Sequence, residues 1–269
     1  MQQRLLVVSP VHNEAPHIER VARALAAQQR PPDAWIVVDD ASTDDTYERL
    51  RQLAPRPPFL TLLRAPKAPA GKDALALANE IRAFSHGLAW VEREDGLAGP
   101  GGAESIAGGG RIAGGLDSFT HIAKLDGDVE LPPEWYATLL ERFAADPRLG
   151  IACGQLEEGA EGARGIIPIP GHHVHGAVKL YSRACLRAIG GLQPRLGWDT
   201  IDETYARMHG FSTCSFADPV AIHHRPFATR DGVLRGRARH GACAYIAHQS
   251  LPWVAARAVK VGRARPVGL

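Results

Sequence analysis

The sequence predicts an α/β fold: a parallel sheet flanked by helices, with a C-terminal helical extension. Three observations lead there. Short apolar, β-branched runs alternate with stretches of helical periodicity, as strand–helix–strand units with right-handed crossovers require. Acidic or polar clusters stand at the ends of three of those runs, where open α/β sheets collect ligands. The alternation is interrupted once, at residues 96–115, where nine of twenty positions are Gly. That stretch reads as a flexible surface insertion.

Taken in order, Leu5 to Ser9 is a strand that opens at Pro10. Ile18, Val21, Leu25 and Ala26 recur at helical spacing and predict a helix over Glu14 to Gln29, stopped by Pro31-Pro32. Trp35 to Val38 is the second strand, and Ser42 or Thr43 is placed to cap a helix reaching about Leu53. Phe59 to Leu63 and Gly71 to Phe84 supply the third strand and helix. Beyond the insertion, Phe119 to Leu125 is a strand ending in Asp126-Gly127-Asp128, and Pro133 opens a helix through Trp135, Leu139, Leu140 and Phe143. Strands over Leu149 to Leu156 and Val174 to Tyr181 flank a loop at 157–171. A short helix over Asp199 to His209 precedes late strands at Phe211 to Phe216 and Val220 to His223. Gly232 to Val261 reads as helical, broken at Pro252. Residues 1–228 then form the main domain and 229–269 the extension.

Composition narrows the function. The 269 residues are 45% hydrophobic and 22% charged, which suits a globular body with a large core. A net charge of +2 does not mark a general nucleic-acid binder. The charge is uneven, however: Arg225 to Arg265 holds nine basic residues and one acid, Asp231, which leaves the rest of the chain acidic. A basic segment beside Tyr245, Ile246, Leu251, Trp253 and Val254 suits an anionic surface. Four scattered cysteines without a Cys-x-x-Cys pair read as reduced thiols, and the sequence holds no charge-free run of membrane-spanning length. Localisation is expected in the cytoplasm, at the inner face of the cell membrane if the extension docks there. Phosphate-loop and nucleophile-elbow signatures are absent from the sequence. What remains is a set of carboxylates at strand ends, which repel a nucleoside diphosphate unless a divalent cation lies between them.

Three segments carry a specific likeness: Val8-Ser9-Pro10-Val11-His12-Asn13-Glu14, then Val37-Val38-Asp39-Asp40-Ala41-Ser42-Thr43-Asp44-Asp45-Thr46, then Lys124-Leu125-Asp126-Gly127-Asp128. In this order they resemble the successive signatures of family-2 glycosyltransferases, over roughly residues 4–225. The resemblance implies a GT-A fold, a Rossmann-like mixed, mostly parallel sheet flanked by helices, and transfer of a sugar from a nucleoside-diphosphate donor to an acceptor hydroxyl, with inversion and a divalent metal, Mn²⁺ or Mg²⁺. It implies that Pro10, Val11, Asn13, Glu14 and Asp39 or Asp40 hold the base and ribose. Asp126, Gly127 and Asp128 would grip the diphosphate, with Asp128 the direct metal ligand and Asp126 a second candidate or a sugar or ribose contact. Lys72 falls where such enzymes place a basic group near the nucleotide. His224 or His223 fits a further metal ligand, and Arg225 a phosphate partner.

The family's catalytic base usually lies eleven residues before a Gly. Gly210 therefore selects Asp199, with Trp198 where the family usually has Glu. Asp202 and Glu203 share that helical face and stay open as bases. Simpler roles compete: the acids at 39–45 suit a helix N-terminus, Glu203 and Arg207 are spaced as a surface ion pair, and His172, His173 and His175 suit plain loop. A sugar-phosphate nucleotidyltransferase and a non-catalytic nucleotide-sugar binding module are the rival functions. The acceptor is open, saccharide or lipid-linked, and no nucleic-acid partner is expected.

Overall fold

The computed structural model describes residues 3–65, 78–92, 112–159, 162–225, 241–246 and 249–262. Strand β1 (Leu5–Val11) is buried along its whole length. A strand covered on both faces cannot alternate with polar residues, hence its unbroken apolar run. On one side of β1 pairs β2 (Ala34–Asp39), then β3 (Leu60–Arg64), and on the other β4 (His121–Lys124), all parallel. Helices α1 (Ile18–Ala26), α2 (Thr46–Arg51) and α3 (Asn79–Glu92) provide the crossovers. In register, Val11 pairs with Asp39 and Val8 with Lys124, so the loops after β1, β2 and β4 leave the sheet at one edge. This shared exit is what gathers the three sequence motifs.

The second half continues the sheet with β5 (Val129–Glu130), helix α4 (Trp135–Ala145), β6 (Leu149–Glu158), β7 (Gly165–Ile166), β8 (Leu180–Ser182), helices α5 (Arg183–Ala188) and α6 (Trp198–Met208), and β9 (Ser212–His223). The strand order is β3-β2-β1-β4-β8-β6-β9-β5, with β7 on β6. β8 runs antiparallel to both β4 and β6, which makes the sheet mixed as expected. The closing helix α7 (Leu251–Gly262) carries Pro252 within its first turn, so proline opens this helix rather than breaking one.

Other expectations shift locally. Ser42 and Thr43 do not cap α2: its N-cap position is Asp45, and the Ser42 hydroxyl accepts from the Asn13 amide at 3.0 Å. The run Val174 to Tyr181 is strand only at its end, from Leu180, and holds a 3₁₀ turn at Gly176–Val178. The two late strands are one, β9, bulged against β6 near Cys153 and Gln155. A Cβ on Gly154 would come within 2.0 Å of the Pro219 carbonyl, so only glycine lets the strands approach there. The helical start at Gly71, most of the insertion and the 228/229 boundary lie outside the described residues.

Candidate active site

The first two loops are stitched by Asn13. Its backbone is left-handed (φ 57°), a conformation asparagine tolerates better than most residues. That turn presents its side-chain oxygen to the Thr43 amide at 2.8 Å and the Asp44 amide at 3.3 Å, and its own amide to Ser42. The Glu14 amide donates to Thr46 Oγ1 at 2.7 Å, and Asp39, 2% exposed, accepts from the Ser42 amide. The His12 ring meets the Asp40 carbonyl at 2.7 Å. Pro10 and Val11 are buried at the end of β1 beneath this loop pair.

The third loop packs directly on the first. A Cβ on Gly127 would meet Glu14 Cγ and Val11 Cγ1, both at 2.9 Å, so the Asp126–Asp128 turn needs glycine at its centre. Asp128 is 6% exposed and faces His223 (Nε2 at 3.5 Å) and Arg225 (Nε at 3.6 Å). Burial works to raise its carboxyl, but the hydrogen bond to His223 and the charges of His223, Arg225 and His17 carry it below the usual range. His223 in turn presents Nδ1 to Glu158 at 2.6 Å. Burial would lower this imidazole, yet Asp128 and Glu158 push it up to about 9. Arg225 reaches across to Glu14 and so spans the first and third loops. His224 turns elsewhere, to Glu130 at 2.9 Å, and stacks on His17. Of the two histidines, the structure brings His223 to Asp128.

Asp126 and Asp199 meet through the strip that precedes β8. The Asp126 amide donates to the Ala177 carbonyl at 2.9 Å. Asp199, half-buried in the first turn of α6, lies against Gly176, its Oδ2 3.6 Å from where a Gly176 Cβ would stand. Two buried lysines frame the strip. Lys124 Nζ donates to Asp126 Oδ1 and, at 3.1 Å, to the Gly176 carbonyl. Lys179 Nζ donates to the Asp199 carbonyl (2.5 Å), Asp202 (2.8 and 3.0 Å) and Glu203 (3.1 Å). Burial raises the Asp126 carboxyl to about 6 against the pull of Lys124, with Glu80 and Asp128 adding to the rise.

Asp202 and Glu203 face inward, 2% and 1% exposed. Asp202 also accepts from the Tyr181 hydroxyl, and Glu203 from the Val174 amide at 2.8 Å and the His173 ring at 3.1 Å. Glu203 is therefore a buried partner of Lys179, with Arg207 at 3.8 Å, and not one half of a solvated pair. Within the triple-histidine loop, His173 braces Glu203, while His175 is buried with an unpartnered Nε2 and held neutral, its value lowered to about 4 by burial. Lys72 lies outside the described residues. Sequence reasoning missed Lys124, Lys179, Glu80 and Glu158. A lone lysine inside each of two apolar strand runs was the readable signal.

The donor set fits a hard divalent cation. Asp128 and a histidine whose far nitrogen is held by a carboxylate form a familiar ligand pair with its outer support. Among the described residues no three His, Cys, Asp or Glu side chains converge into a closed metal cluster. Mg²⁺ in proteins is held by one or two carboxylates and fills its remaining positions with water and phosphate oxygens.

Residues 6–81 match the family model for glycosyl transferase family 2. No curated protein matches the chain. Among solved structures, the mannosyltransferase PcManGT from Pyrobaculum calidifontis, in complex with GDP-Man and Mn²⁺, aligns at TM-score 0.58 and 21% identity, covering 99% of this chain and 67% of that one. TarS 1–349 from S. aureus in complex with UDP-GlcNAc aligns at 0.59 and 14% identity, covering 90% and 66%. Full TarS aligns at 0.59 and 13%, covering 98% of this chain and 40% of that one. The chain thus spans about two thirds or less of these proteins. The family match over residues 6–81 and the shared fold bear out the resemblance to GT-A glycosyltransferases of family 2.

Proposed function

We propose that the protein transfers a sugar from a nucleoside-diphosphate donor to an acceptor hydroxyl with inversion, using Asp199 as general base. The observation that carries this reading is the meeting of two chemistries at one sheet edge: Asp128 beside His223 and Arg225, and Asp199 against Gly176 one short strip away. The loops at Pro10, Val11, Asn13, Glu14, Asp39 and Asp40 would hold base and ribose. Asp128 and His223, with Asp126, would hold Mn²⁺ or Mg²⁺; bound there, the cation would offset the charge on the departing diphosphate. Arg225, paired with Glu14 and Asp128, would exchange these carboxylates for phosphate oxygens. Asp199 would take the acceptor's proton as that oxygen attacks the anomeric carbon. Asp202 and Glu203 are engaged by Lys179 in the interior and serve in this account as supports of α6. The relatives' printed ligands, GDP-Man and UDP-GlcNAc, make those nucleotide sugars the first donors to try.

The test is release of a nucleoside diphosphate from a panel of nucleotide sugars with Mn²⁺ and saccharide or lipid-linked acceptors. Release of pyrophosphate from a nucleoside triphosphate and a sugar phosphate would instead favour a nucleotidyltransferase. Binding without turnover would favour a non-catalytic module. We further read the extension as a peripheral contact with anionic lipid at the inner face of the membrane, which would suit a lipid-linked acceptor. No helix among the described residues is long and apolar enough to cross a membrane. Instead Tyr245, Leu251 and Trp253 stand 79%, 76% and 63% exposed, beside a tail whose charges after Asp231 are all basic. Substituting Leu251 and Trp253 by Ser should release the protein from anionic vesicles; unchanged sedimentation would end the membrane reading.

A further inference from the structure

We propose that Lys124 and Trp198 are positioning residues that fix Asp126 relative to Asp199, with Lys179 as their anchor. This rests on the glycosyl-transfer reading for its consequence, though not for its geometry. Lys124 is 1% exposed and ends β4; Lys179 is 0% exposed and precedes β8; the Lys124 amide donates to the Lys179 carbonyl at 2.8 Å. The Trp198 ring receives both ammonium groups, Lys124 Nζ at 5.1 Å and Lys179 Nζ at 5.3 Å from its centroid. Its indole nitrogen donates to Glu80 Oε1 at 2.7 Å, tying α6 to the start of α3. Each ammonium then reaches one side of the site. Lys124 holds Asp126 and the Gly176 carbonyl; Lys179 holds the Asp199 carbonyl.

Burying two ammonium groups is costly, and a methionine would fill the same volume without that penalty. Lys179 is matched by two interior carboxylates, which accounts for it as structure. Lys124 is different. Its ion-pair partner is Asp126, whose side chain is 28% exposed at the site, and its carbonyl partner is the glycine on which Asp199 rests. A cation in the interior thus holds a donor-side carboxylate and the platform of the base together. Both ammonium groups are attracted to the same indole, which couples their positions. The position of the usual family Glu is taken here by the residue that joins the two lysines.

The test compares full-length Lys124→Met, which removes the cation, with Lys124→Arg, which keeps it. In the Met variant kcat for nucleotide-sugar turnover should fall by about tenfold or more, a larger loss than that in Mn²⁺-dependent UDP or GDP affinity, which Asp128 and His223 still support. The Arg variant should recover part of the loss. A folded Met variant with parental kcat, or Met and Arg variants equally impaired, would overturn the proposal. If the Met variant does not fold, Trp198→Leu removes the ring and leaves every lysine ion pair in place; it should show the same split, and parental kcat there would also overturn the proposal. A readout independent of turnover separates this proposal from the functional reading. The Trp198 indole N–H resonance, assigned by its loss in Trp198→Leu, should move in Lys124→Met and return in Lys124→Arg. An unmoved resonance sinks the clamp even if the enzyme is active, and a moved one supports it even if no nucleotide sugar is turned over.

Discussion

Replacing Lys179 by Met deletes a charge while keeping the stem's length. The ammonium is fully buried and answers Asp202 and Glu203, which are 2% and 1% exposed. Without it, Asp202 retains the Tyr181 hydroxyl, and Glu203 retains the Val174 amide and the His173 ring. Those bonds satisfy oxygens but leave the two negative charges facing each other in the interior. Removing one partner of a buried pair typically costs about 3–5 kcal/mol. Domains are stable by roughly 5–15 kcal/mol, so the loss is a large fraction of the total. At about 2–4 °C per kcal/mol for a domain of this size, melting should fall by roughly 10 °C. The pH dependence fixes the cause. Burial already holds Asp202 above its usual range and Lys179 helps hold Glu203 below its own, so losing Lys179 moves both carboxyls up and makes their protonation favour the native state more as pH falls. The deficit should therefore be larger at about pH 8 than at about pH 5 in thermal scans by circular dichroism. Adding Asp202→Asn and Glu203→Gln should restore most of it. Equal deficits at both pH values, or a melt within about 2 °C of the parent, would refute the reasoning.

Gly127→Ala should destabilise the protein by about 1–3 kcal/mol, because the new methyl meets Glu14 and Val11 at 2.9 Å; it should also weaken donor binding, and chemical denaturation with a binding titration would check both. His223 is raised to about 9 by Asp128 and Glu158, so its stabilisation is complete below its unfolded value and is lost as pH rises through the folded one. His223→Gln should accordingly flatten the stability profile between about pH 6.5 and about pH 9, and an unchanged slope there would contradict the pairing.

The sheet's first half was legible because its information is local. Parallel strands buried on both faces leave apolar runs, and the loops that follow them carry their own turn and capping chemistry. What was not legible depends on partners distant in the chain. Ser42 looks like a helix cap until Asn13, twenty-nine positions away, donates its amide to that hydroxyl. Helical spacing puts Asp199, Asp202 and Glu203 on adjoining positions but does not say which turn faces the interior; Lys179, on another element, settles that for Asp202 and Glu203. His223 and His224 are adjacent in an extended segment and point to different sides, so the choice waits on where Asp128 and Glu130 stand. Val174 to Tyr181 has the composition of a strand, yet the Gly176–Val178 turn is held there by tertiary bonds from Lys124 and Asp126.

The central claim is that a cation-and-diphosphate end and a base belong to one site. The most direct measurement is Mn²⁺-dependent UDP and GDP binding set beside sugar turnover in Asp128→Ala and Asp199→Asn. The account predicts that Asp128→Ala loses both, whereas Asp199→Asn binds as the parent does and loses turnover by roughly 10²–10⁴-fold, the usual worth of a general base. Parental turnover in Asp199→Asn, or parental Mn²⁺-dependent binding in Asp128→Ala, would contradict it.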